Sequence, residues 1–374
     1  MPPLTLLIKP ASSLCNLRCR YCFYQSIAES RTIQNFGLMS PVLLENLVKK
    51  ALSYGDHVCT FGFQGGEPTL AGLDFYRLLI KLQKKYNQKN IQIFNTLQTN
   101  GILITEEWAK FLSENHFLVG LSLDGPKEIH DTQRLDANGK GTFNRVLNTA
   151  RLFRRYQVEF NILTVVNRQV ARHPAKVYQF FKRQGFRYLQ FIPCLDPLAE
   201  EPGTYPHSLR PNDYDHFLIN LFELWYQDVT QGDFFSIQMF DNYVEMIQGY
   251  PPEVCGLSGS CAVSFVIEGN GNVYPCDFYA SDKWCLGNIT ISDFATLKET
   301  SLAQQFIESS KPLAPQCKSC QWYDLCQGGC RRYREPFRDE KPVLNYFCAA
   351  YQRFFEHSWE KLRKVAEMAH FQRY

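Results

Sequence analysis

The chain has 374 residues, a net charge of +3 and 21% charged residues. This length allows a large core and suggests about two domains, or one barrel with an extension. Because acidic and basic residues are interspersed, no polybasic block indicates nucleic acid or an anionic membrane as a partner. No apolar run approaches the ~20 residues of a membrane span.

The amino terminus and the cysteine content both bear on the cellular compartment. Residues 1–10 contain neither a basic leader nor an apolar stretch sufficient for a signal peptide, so we expect a cytoplasmic protein. In a reducing compartment, fourteen cysteines indicate metal binding rather than disulfide bonds.

Strands and helices alternate through the first half of the chain. The predicted strands are Leu4–Pro10, Val58–Phe63, Ile91–Leu97, Leu118–Leu123, Glu159–Val166 and Tyr188–Ile192. The predicted helices between them are Val42–Leu52, Leu73–Tyr86, Glu106–Glu114, Phe143–Tyr156 and Ala175–Arg183. This alternation predicts an α/β fold with a parallel sheet, since parallel strands need crossover connections.

The pattern changes after Pro211. Two helices are predicted at Asp213–Tyr226 and Ile237–Ile247, and a helical tail at about Tyr351–His370. Between them, Cys255 opens a region that carries nine of the fourteen cysteines. We therefore predict two domains, 1–250 and 251–374.

Three cysteines follow the first predicted strand in a C-x₃-C-x₂-C pattern. Cys15, Cys19 and Cys22 can hold a [4Fe–4S] cluster by three of its irons, which leaves the fourth iron open. A zinc site or three buried thiols are the alternatives. Zinc usually requires four ligands in a closed site, and no nearby Cys or His completes the set. Tyr21 lies inside this run.

Further candidate residues follow the ends of other predicted strands, where the working residues of parallel α/β barrels lie. Gly65 and Gly66 allow a close backbone approach, and the Glu67 carboxylate can accept from an ammonium group. Read alone, this segment is only a turn. Asp124 with Ser122 suits ribose hydroxyls and Arg134 suits a carboxylate, although each also reads as a cap or a surface charge.

The second half carries a specific cysteine spacing. Cys261-x₉-Gly271-x₄-Cys276 is followed by Cys317-x₂-Cys320-x₅-Cys326-x₃-Cys330 and then Cys348, and Cys255 supplies an eighth thiol. Eight thiolates can ligate two further [4Fe–4S] clusters completely. A pair of structural zinc sites is the alternative. Cys59, Cys194 and Cys285 remain unassigned and are expected to be buried hydrophobic residues.

Asp277 directly follows Cys276 and is a candidate general base. A carboxylate there could take a proton beside an iron–sulfur electron acceptor. The alternative is an Asp that serves a turn after residues 269–272.

These motifs resemble those of radical S-adenosylmethionine (SAM) enzymes with a SPASM domain. The runs at 15–24 and 63–72, with Leu-Gln-Thr-Asn-Gly and Tyr-Pro-Cys-Asp-Phe-Tyr, are similar to those of the anaerobic sulfatase-maturating enzymes over essentially the whole chain. The resemblance implies a partial (β/α)₆ barrel followed by a cysteine-rich SPASM-type domain.

The resemblance also implies the cofactors, which are SAM and three [4Fe–4S] clusters. SAM would bind the open iron, and its contacts would be Tyr21, Gly65, Gly66, Glu67, Ser122, Asp124, Arg134 and, against adenine, Leu195. One auxiliary cluster would take Cys255, Cys261, Cys276 and Cys330. The other would take Cys317, Cys320, Cys326 and Cys348.

The activity implied is oxidation of a Cys or Ser in a sulfatase Cys/Ser-x-Pro/Ala-x-Arg segment to Cα-formylglycine. A 5′-deoxyadenosyl radical would remove a hydrogen atom, Asp277 would take a proton and the auxiliary clusters an electron. Tyr24 and Gln64 are candidate residues of the peptide groove. A small electron donor such as a flavodoxin or ferredoxin is expected, and the protein is expected to be a monomer.

Two alternative functions remain. Another SPASM peptide maturase would form a thioether or carbon–carbon crosslink in a small precursor, but many such enzymes have an amino-terminal peptide-recognition domain, for which a first strand near Leu4 leaves no room. A non-enzymatic iron–sulfur electron carrier would not need the Gly65-Gly66-Glu67 motif or an open cluster.

Overall fold

The computed structural model describes residues 3–198, 200–335 and 343–372. The strands are β1 Leu4–Ile8, β2 Val58–Phe63, β3 Gln92–Thr99, β4 Phe117–Ser122, β5 Phe160–Val166, β6 Tyr188–Pro193, β7 Ser236–Ile237, β8 Val266–Ile267, β9 Asn272–Tyr274 and β10 Gly287–Asn288. The helices are α1 Phe23–Glu29, α2 Pro41–Tyr54, α3 Leu73–Tyr86, α4 Glu106–Glu114, α5 Lys127–His130, α6 Phe143–Arg155, α7 Arg168–Ala171, α8 Pro174–Gln184, α9 Pro211–Thr230, α10 Gln238–Ile247, α11 Phe294–Glu299, α12 Ser301–Glu308, α13 Tyr323–Cys326 and α14 Cys348–Gln372.

Every strand and helix predicted from the sequence is present, with ends that differ by four residues at most. The sequence did not predict β7–β10, which have two or three residues each, or six short helices. Strands of two or three residues are too short to show alternation, and helices of four to eight residues are shorter than the window of about 11–18 residues in which a helical period is recognised.

The chain forms two compact units that alternate along the sequence. Unit 1 comprises Met1–Ser122, Arg134–Phe160 and Ala262–Ile307. Unit 2 comprises Leu123–Gln133, Asn161–Cys261 and Glu308–Tyr374. The division of the sequence into domains at residue 250 stays a prediction.

Unit 1 contains a sheet in the order β10-β9-β8-β1-β2-β3-β4. Strands β1 to β4 are parallel, and their register places Ile8 opposite Phe63 and Phe63 opposite Leu97. Strand β8 pairs parallel to β1, whereas β9 and β10 continue antiparallel. Because parallel strands end at the same edge, the loops after β1, β2 and β3 lie side by side.

Helix α2 of unit 1 is amphipathic and begins at a capping signal that the sequence shows. In α2, the Ser40 hydroxyl accepts from the Leu43 N–H at 3.2 Å, and Pro41 occupies the first turn. The apolar face of α2 is buried through Leu43, Leu44, Leu47, Val48, Ala51 and Leu52. Burial of this face supplies most of the stability that the helix lacks by itself.

Unit 2 contains β6 paired parallel with both β5 and β7. Helices α9 and α14 pack closely, with Phe222 and Phe354 edge to face at a centroid separation of 5.6 Å. The cysteine-rich segment 308–335 precedes α14 in this unit. Within the described ranges, no helix is both long and apolar enough to cross a membrane.

Candidate active site

The loop after β1 carries the three cysteines of the predicted open cluster, all partly exposed. The Leu17 N–H donates to Cys15 Sγ at 3.4 Å, and the Cys22 N–H donates to the Cys19 carbonyl at 3.2 Å. Burial raises the pKa of the Cys15 thiol to about 11, and the charge of Cys22 also raises it. Cys15 and Cys22 are therefore neighbours, and metal binding at Cys15 must release a proton.

The same loop contacts the segment that begins at Arg134. The Arg18 N–H donates to the Leu135 carbonyl at 2.7 Å. The Arg134 guanidinium carbon lies 5.4 Å from the centre of the Tyr21 ring, and both side chains are buried. The structure thus brings two predicted SAM contacts, Tyr21 and Arg134, to one place.

The Gly65-Gly66 turn packs against the residues that lead into the cysteines. The Gly66 N–H donates to the Ser12 carbonyl at 2.9 Å, and the Glu67 N–H donates to the Leu14 carbonyl at 2.7 Å. Gly65 has a φ of +127°, and a Cβ on Gly66 would lie 2.0 Å from the Leu14 oxygen. Both positions therefore require glycine for packing against the loop.

Glu67 is buried and accepts hydrogen bonds from four protein donors. Its Oε1 accepts from the Thr69 N–H at 3.1 Å, the Thr69 hydroxyl at 2.6 Å and the Thr99 hydroxyl at 2.8 Å. Its Oε2 accepts from the Asn100 N–H at 2.8 Å. Burial raises the pKa of Glu67, whereas these hydrogen bonds lower it. Only Oε2 retains acceptor capacity for a ligand.

Asn100 connects Glu67 to the cysteine loop. Its side-chain Nδ2 donates to Asn16 Oδ1 at 2.7 Å and lies 3.9 Å from Cys15 Sγ. The sequence offered this residue only within the Leu-Gln-Thr-Asn-Gly run and assigned it no role. Hydrogen bonds to ligand sulfurs tune iron–sulfur clusters, so Asn100 belongs to the candidate site.

Asp277 is held at both carboxylate oxygens. Lys9 Nζ lies 2.5 Å from Oδ1, and Gln64 Nε2 donates to Oδ2 at 2.5 Å. Lys9 is 1% exposed, whereas the Asp277 side chain is 16% exposed. Asp277 begins the 3₁₀ helix Asp277–Tyr279, directly after Cys276. One oxygen thus faces a buried cation, and the other faces an uncharged amide.

Lys9 is also part of a buried chain of polar side chains. Its Nζ lies 3.6 Å from the centre of the Tyr24 ring, and the Tyr24 hydroxyl donates to Glu268. Arg31 pairs with Glu268 at 2.8 Å, and both side chains are fully buried. Burial, followed by the charge of Glu268, raises the pKa of Tyr24, so its hydroxyl keeps its proton. Lys9, Arg31 and Glu268 were not singled out from the sequence.

The remaining predicted SAM contacts lie in different parts of the fold. Ser122 is the last residue of β4 in unit 1 and is half-buried. In unit 2, Asp124 is fully buried, where its N–H donates to His130 Nδ1 at 3.2 Å and its Oδ1 accepts from the Val165 N–H at 3.1 Å. Leu195 is buried after the end of β6. Asp124 thus has a structural role beside β5.

Four cysteines of the second half line one cavity in unit 2. Cys317, Cys320, Cys326 and Cys348 surround a volume of about 240 Å³. Trp322 and Phe355 also line the cavity, with ring centres 5.7 Å apart. Burial raises the pKa of the Cys326 thiol to about 12. Four thiols around an apolar cavity are a donor set suited to an iron–sulfur cluster.

Three further cysteines of unit 2 are neighbours. A Cβ on Gly256 would lie 3.4 Å from the Cys330 Cβ, so the turn after Cys255 packs on Cys330. Burial raises the pKa of Cys330 to about 12, and the charges of Cys255 and Cys261 raise it further. Cys276 lies in unit 1, and its inclusion in this ligand set stays a prediction.

Within the described ranges, no three Cys, His, Asp or Glu side chains converge on the position of a single metal ion. The thiolates of an iron–sulfur cluster bind different irons, so they need not converge on one point. Of the unassigned cysteines, Cys59 and Cys194 are buried and Cys285 is half-buried.

Comparisons with known proteins identify the domains of this chain. Residues 10–181 match the Radical SAM superfamily, and residues 260–321 match the SPASM iron–sulfur cluster-binding domain. The chain is thus a radical SAM enzyme with a SPASM domain. These matches confirm the predicted fold class and are consistent with the partial (β/α)₆ barrel that the resemblance implied.

Similar proteins narrow the class to one family. A cysteine-type anaerobic sulfatase-maturating enzyme of Clostridium perfringens (strain 13 / Type A) is 53% identical over 98% of this chain and 99% of that protein. A serine-type enzyme of Bacteroides thetaiotaomicron is 34% identical over 95% of this chain and 89% of that protein. The chain belongs to the anaerobic sulfatase-maturating enzymes.

Solved structures agree with this assignment. A structure of native anSMEcpe with bound AdoMet and Cp18Cys peptide matches with a TM-score of 0.95 and 52% identity, covering 98% of this chain and all of that chain. Streptococcus suis SuiB, 18% identical with a TM-score of 0.66 over 92% of this chain and 76% of that chain, shares the fold alone. The protein is therefore an oxidoreductase that uses SAM and [4Fe–4S] clusters, three as predicted, and acts on a sulfatase.

Proposed function

We propose that this enzyme oxidises a cysteine in a Cys-x-Pro/Ala-x-Arg segment of a sulfatase to Cα-formylglycine, with Asp277 as the general base. The arrangement of Asp277 carries the proposal, because Lys9 and Gln64 hold its carboxylate beside Cys276. The greater similarity to cysteine-type than to serine-type relatives supports cysteine as the preferred substrate residue.

Cys15, Cys19 and Cys22 would hold the open cluster, and Glu67 would accept from the SAM ammonium group. The oxygen available for that contact is Oε2, since Oε1 already accepts from Thr69 and Thr99. Tyr21 and Arg134, which lie together, would contact SAM as the resemblance implies, with Ser122, Asp124 and Leu195. The chemistry that SAM and the cluster supply when bound is a 5′-deoxyadenosyl radical.

Oxidation of the cysteine side chain removes one hydrogen atom, one proton and one electron and leaves a thioaldehyde. Water then hydrolyses the thioaldehyde to the Cα-formylglycine aldehyde and releases hydrogen sulfide. Asp277 Oδ2 would receive the proton, because Oδ1 is occupied by the buried Lys9 ammonium. Gln64 donates to Oδ2 in the substrate-free protein. The substrate peptide would therefore displace the Gln64 amide, which is then free to bind the peptide backbone.

The auxiliary ligand sets are part of the same proposal. Cys317, Cys320, Cys326 and Cys348 would hold one cluster, supported by the cavity that they line. Cys255, Cys261 and Cys330 would hold the other, with Cys276 as the fourth ligand. The pKa of Cys330, which is raised by burial and further by Cys255 and Cys261, supports the proximity of these three thiols.

Further partners and the compartment are also proposed. A small electron donor such as a flavodoxin or ferredoxin would supply the electron that SAM cleavage requires. We propose a cytoplasmic protein, since all fourteen cysteines are free thiols that need a reducing environment. We also propose that it is a monomer. Size-exclusion chromatography and cell fractionation test these points.

Mass spectrometry of paired substrate peptides tests the proposed activity. The anaerobically reconstituted enzyme, with SAM and reductant, should convert a Cys-x-Pro-x-Arg peptide to an aldehyde that a hydrazine reagent captures. The matched Ser peptide should react more slowly. Equal or faster oxidation of Ser would refute the cysteine preference, and a crosslinked product without aldehyde would support the peptide-maturase alternative.

A further inference from the structure

The 3₁₀ helix Arg331–Arg334 begins directly after Cys330 and contains three arginines that are almost fully buried. Their exposed fractions are 6% for Arg331, 7% for Arg332 and 3% for Arg334. Arginine is rarely buried without a partner, because desolvation of its charge is costly. Each guanidinium in this helix should therefore have an identifiable function.

The surroundings of Arg334 differ from those of Arg331. Arg331 Nε forms an ion pair with Glu335 at 3.1 Å. Arg334 instead donates to two backbone carbonyls, those of Pro312 at 2.9 Å and Ser310 at 2.7 Å. Its Nε is buried and has no hydrogen-bond partner within the described residues. Arg334 is thus a buried cation without an anionic side chain among its partners in the described part of the chain.

The segment that Arg334 holds touches cysteines of both proposed auxiliary sets. The Ser310 hydroxyl accepts from the Cys261 N–H at 2.8 Å. Four residues further on, the Ala314 carbonyl accepts from the Cys317 N–H at 2.9 Å. Arg334 therefore holds a segment that contacts one cysteine of each proposed set.

Arg334 is also close along the chain to a third proposed ligand, because the 3₁₀ helix Arg331–Arg334 begins directly after Cys330. Arg334 is thus linked to cysteines of both proposed sets, by the segment that it holds and by its own helix.

We propose that Arg334 is the shared counter-charge of the two auxiliary clusters and raises the reduction potential of both. This inference rests on the proposed ligand sets. A cluster with four thiolate ligands is an anion, and reduction adds a further negative charge. A buried cation nearby stabilises the reduced form more than the oxidised form, so each cluster becomes a better acceptor for the electron released from the substrate.

Redox titration of the reconstituted holoenzyme, followed by EPR spectroscopy, tests this role. A unit charge about 10 Å away, at an effective dielectric constant of about 20, changes an equilibrium by roughly tenfold. We expect R334Q to make reduction of each auxiliary cluster about tenfold less favourable, which is about 59 mV for a one-electron couple. The radical SAM cluster should keep its potential.

R332Q is the matched control, because it removes a buried arginine of the same helix that donates to the Asp196 carbonyl. R332Q should keep the wild-type potential of the cluster proposed for Cys317, Cys320, Cys326 and Cys348, since the Arg332 guanidinium donates to the Asp196 carbonyl and not to the 310–314 segment. Unchanged potentials in R334Q, or equal shifts in R332Q and R334Q, would overturn the proposal. A shift of one auxiliary cluster alone would overturn the shared role.

R334K covers the case in which R334Q binds too little iron to titrate. The lysine keeps the positive charge but lacks the two guanidinium nitrogens that reach the Pro312 and Ser310 carbonyls. We expect R334K to restore the iron content and the wild-type potentials. Low iron in R334K as well would show a structural role for these two nitrogens and overturn the proposal. If the proposed ligand sets are wrong, wild-type protein will lack the EPR signals of the auxiliary clusters. That outcome differs from a failure of the Arg334 proposal, in which the wild-type signals are present.

Discussion

Lys9 Nζ lies 2.5 Å from Asp277 Oδ1, and the two residues are separated by most of the chain. Strand β1 ends one residue before Lys9, whereas Asp277 follows Cys276 in the segment after β9. The pairing of β1 with β8 places these segments side by side in unit 1. Lys9 thereby fixes one oxygen of the carboxylate and leaves the other for chemistry.

Replacement of Lys9 should uncouple SAM cleavage from product formation. In K9M the Asp277 carboxylate loses its cation, and we expect aldehyde formation to fall by about 10-fold to 100-fold, since misplacing a catalytic group by about 1 Å costs about 10²-fold. SAM cleavage should persist. The ratio of 5′-deoxyadenosine to aldehyde measures the uncoupling.

K85M is the control for K9M, because Lys85 forms an exposed pair with Glu45 at 2.8 Å. Exposed pairs contribute about 0–1 kcal/mol, so K85M should behave as wild type. A K9M enzyme with wild-type coupling would remove Lys9 from any role in positioning Asp277.

The catalytic and cluster-binding motifs could be predicted from the sequence because the residues of each motif lie close together along the chain. Cys15, Cys19 and Cys22 form one local pattern, and Asp277 was found through its neighbour Cys276. The sequence did not indicate Lys9 as a site residue. It lies in a predicted apolar strand, and no motif or spacing there marks a lysine as functional. Its role depends on a partner 268 positions away, which only the pairing of strands brings near.

The partners of Glu67 were unpredictable for the same reason. The motif indicated a carboxylate for a ligand, yet Thr99 and Asn100 of the next strand end occupy most of its acceptor capacity. Both residues stand in the Leu-Gln-Thr-Asn-Gly run, but that motif does not show that they contact Glu67. The buried pair of Arg31 with Glu268 likewise spans 237 positions.

Glu67→Gln should weaken both the fold and SAM binding. An amide group at Oε2 would face the Asn100 N–H, so two donors would meet in a buried place. We expect a loss of about 1–3 kcal/mol in the free energy of unfolding. Urea denaturation measures that loss, and equilibrium dialysis measures the affinity for SAM.

The control for Glu67→Gln is Glu106→Gln, an exposed carboxylate paired with Arg155 at 3.0 Å. This variant should change neither the free energy of unfolding nor the affinity for SAM. Unaltered stability and SAM affinity in Glu67→Gln would contradict the hydrogen bonding described for Glu67.

The iron content of cysteine variants should test each proposed ligand set separately. With four irons per cluster, wild-type protein should bind about twelve irons. The double variant C326A/C348A, which keeps only Cys317 and Cys320 of its ligand set, should bind about eight. C15A should also lose about four irons and, in addition, all SAM cleavage. Iron analysis and 5′-deoxyadenosine measurement distinguish the two cases.

C285A is the control among the cysteine variants. Cys285 belongs to neither set, and its thiol contacts the Gly287 carbonyl at 3.7 Å. We expect full iron content in C285A. A loss of iron there, or full iron in C326A/C348A, would require a different assignment of ligands.

Asp241 should make stability depend on pH. Burial raises its pKa to about 6, although its Oδ2 accepts from the Ser236 hydroxyl at 2.6 Å. The pKa of Asp241 in the folded protein lies above its value of about 4 in the unfolded chain. The contribution of Asp241 to the free energy of unfolding is therefore fully present below about pH 4 and is lost as pH rises through about 6.

Asp241→Asn removes this titration. Relative to wild type, the variant should gain about 1–3 kcal/mol in the free energy of unfolding between pH 5 and pH 8, since each unit of pKa shift corresponds to about 1.4 kcal/mol. Urea denaturation across this range measures the difference. A difference that does not change with pH would contradict the raised pKa of Asp241.

The role of Asp277 is the central claim, and the products of Asp277→Asn test it most directly. With SAM, reductant and a Cys-x-Pro-x-Arg peptide, this variant should still release 5′-deoxyadenosine. Its aldehyde should fall by about 10²-fold to 10⁴-fold, the usual contribution of a general base. Asp282→Asn is the control and should keep its product, because it neutralises a carboxylate outside the site that accepts from the Thr32 N–H at 2.7 Å and the Thr32 hydroxyl at 2.8 Å. Wild-type aldehyde yield from Asp277→Asn would contradict the account.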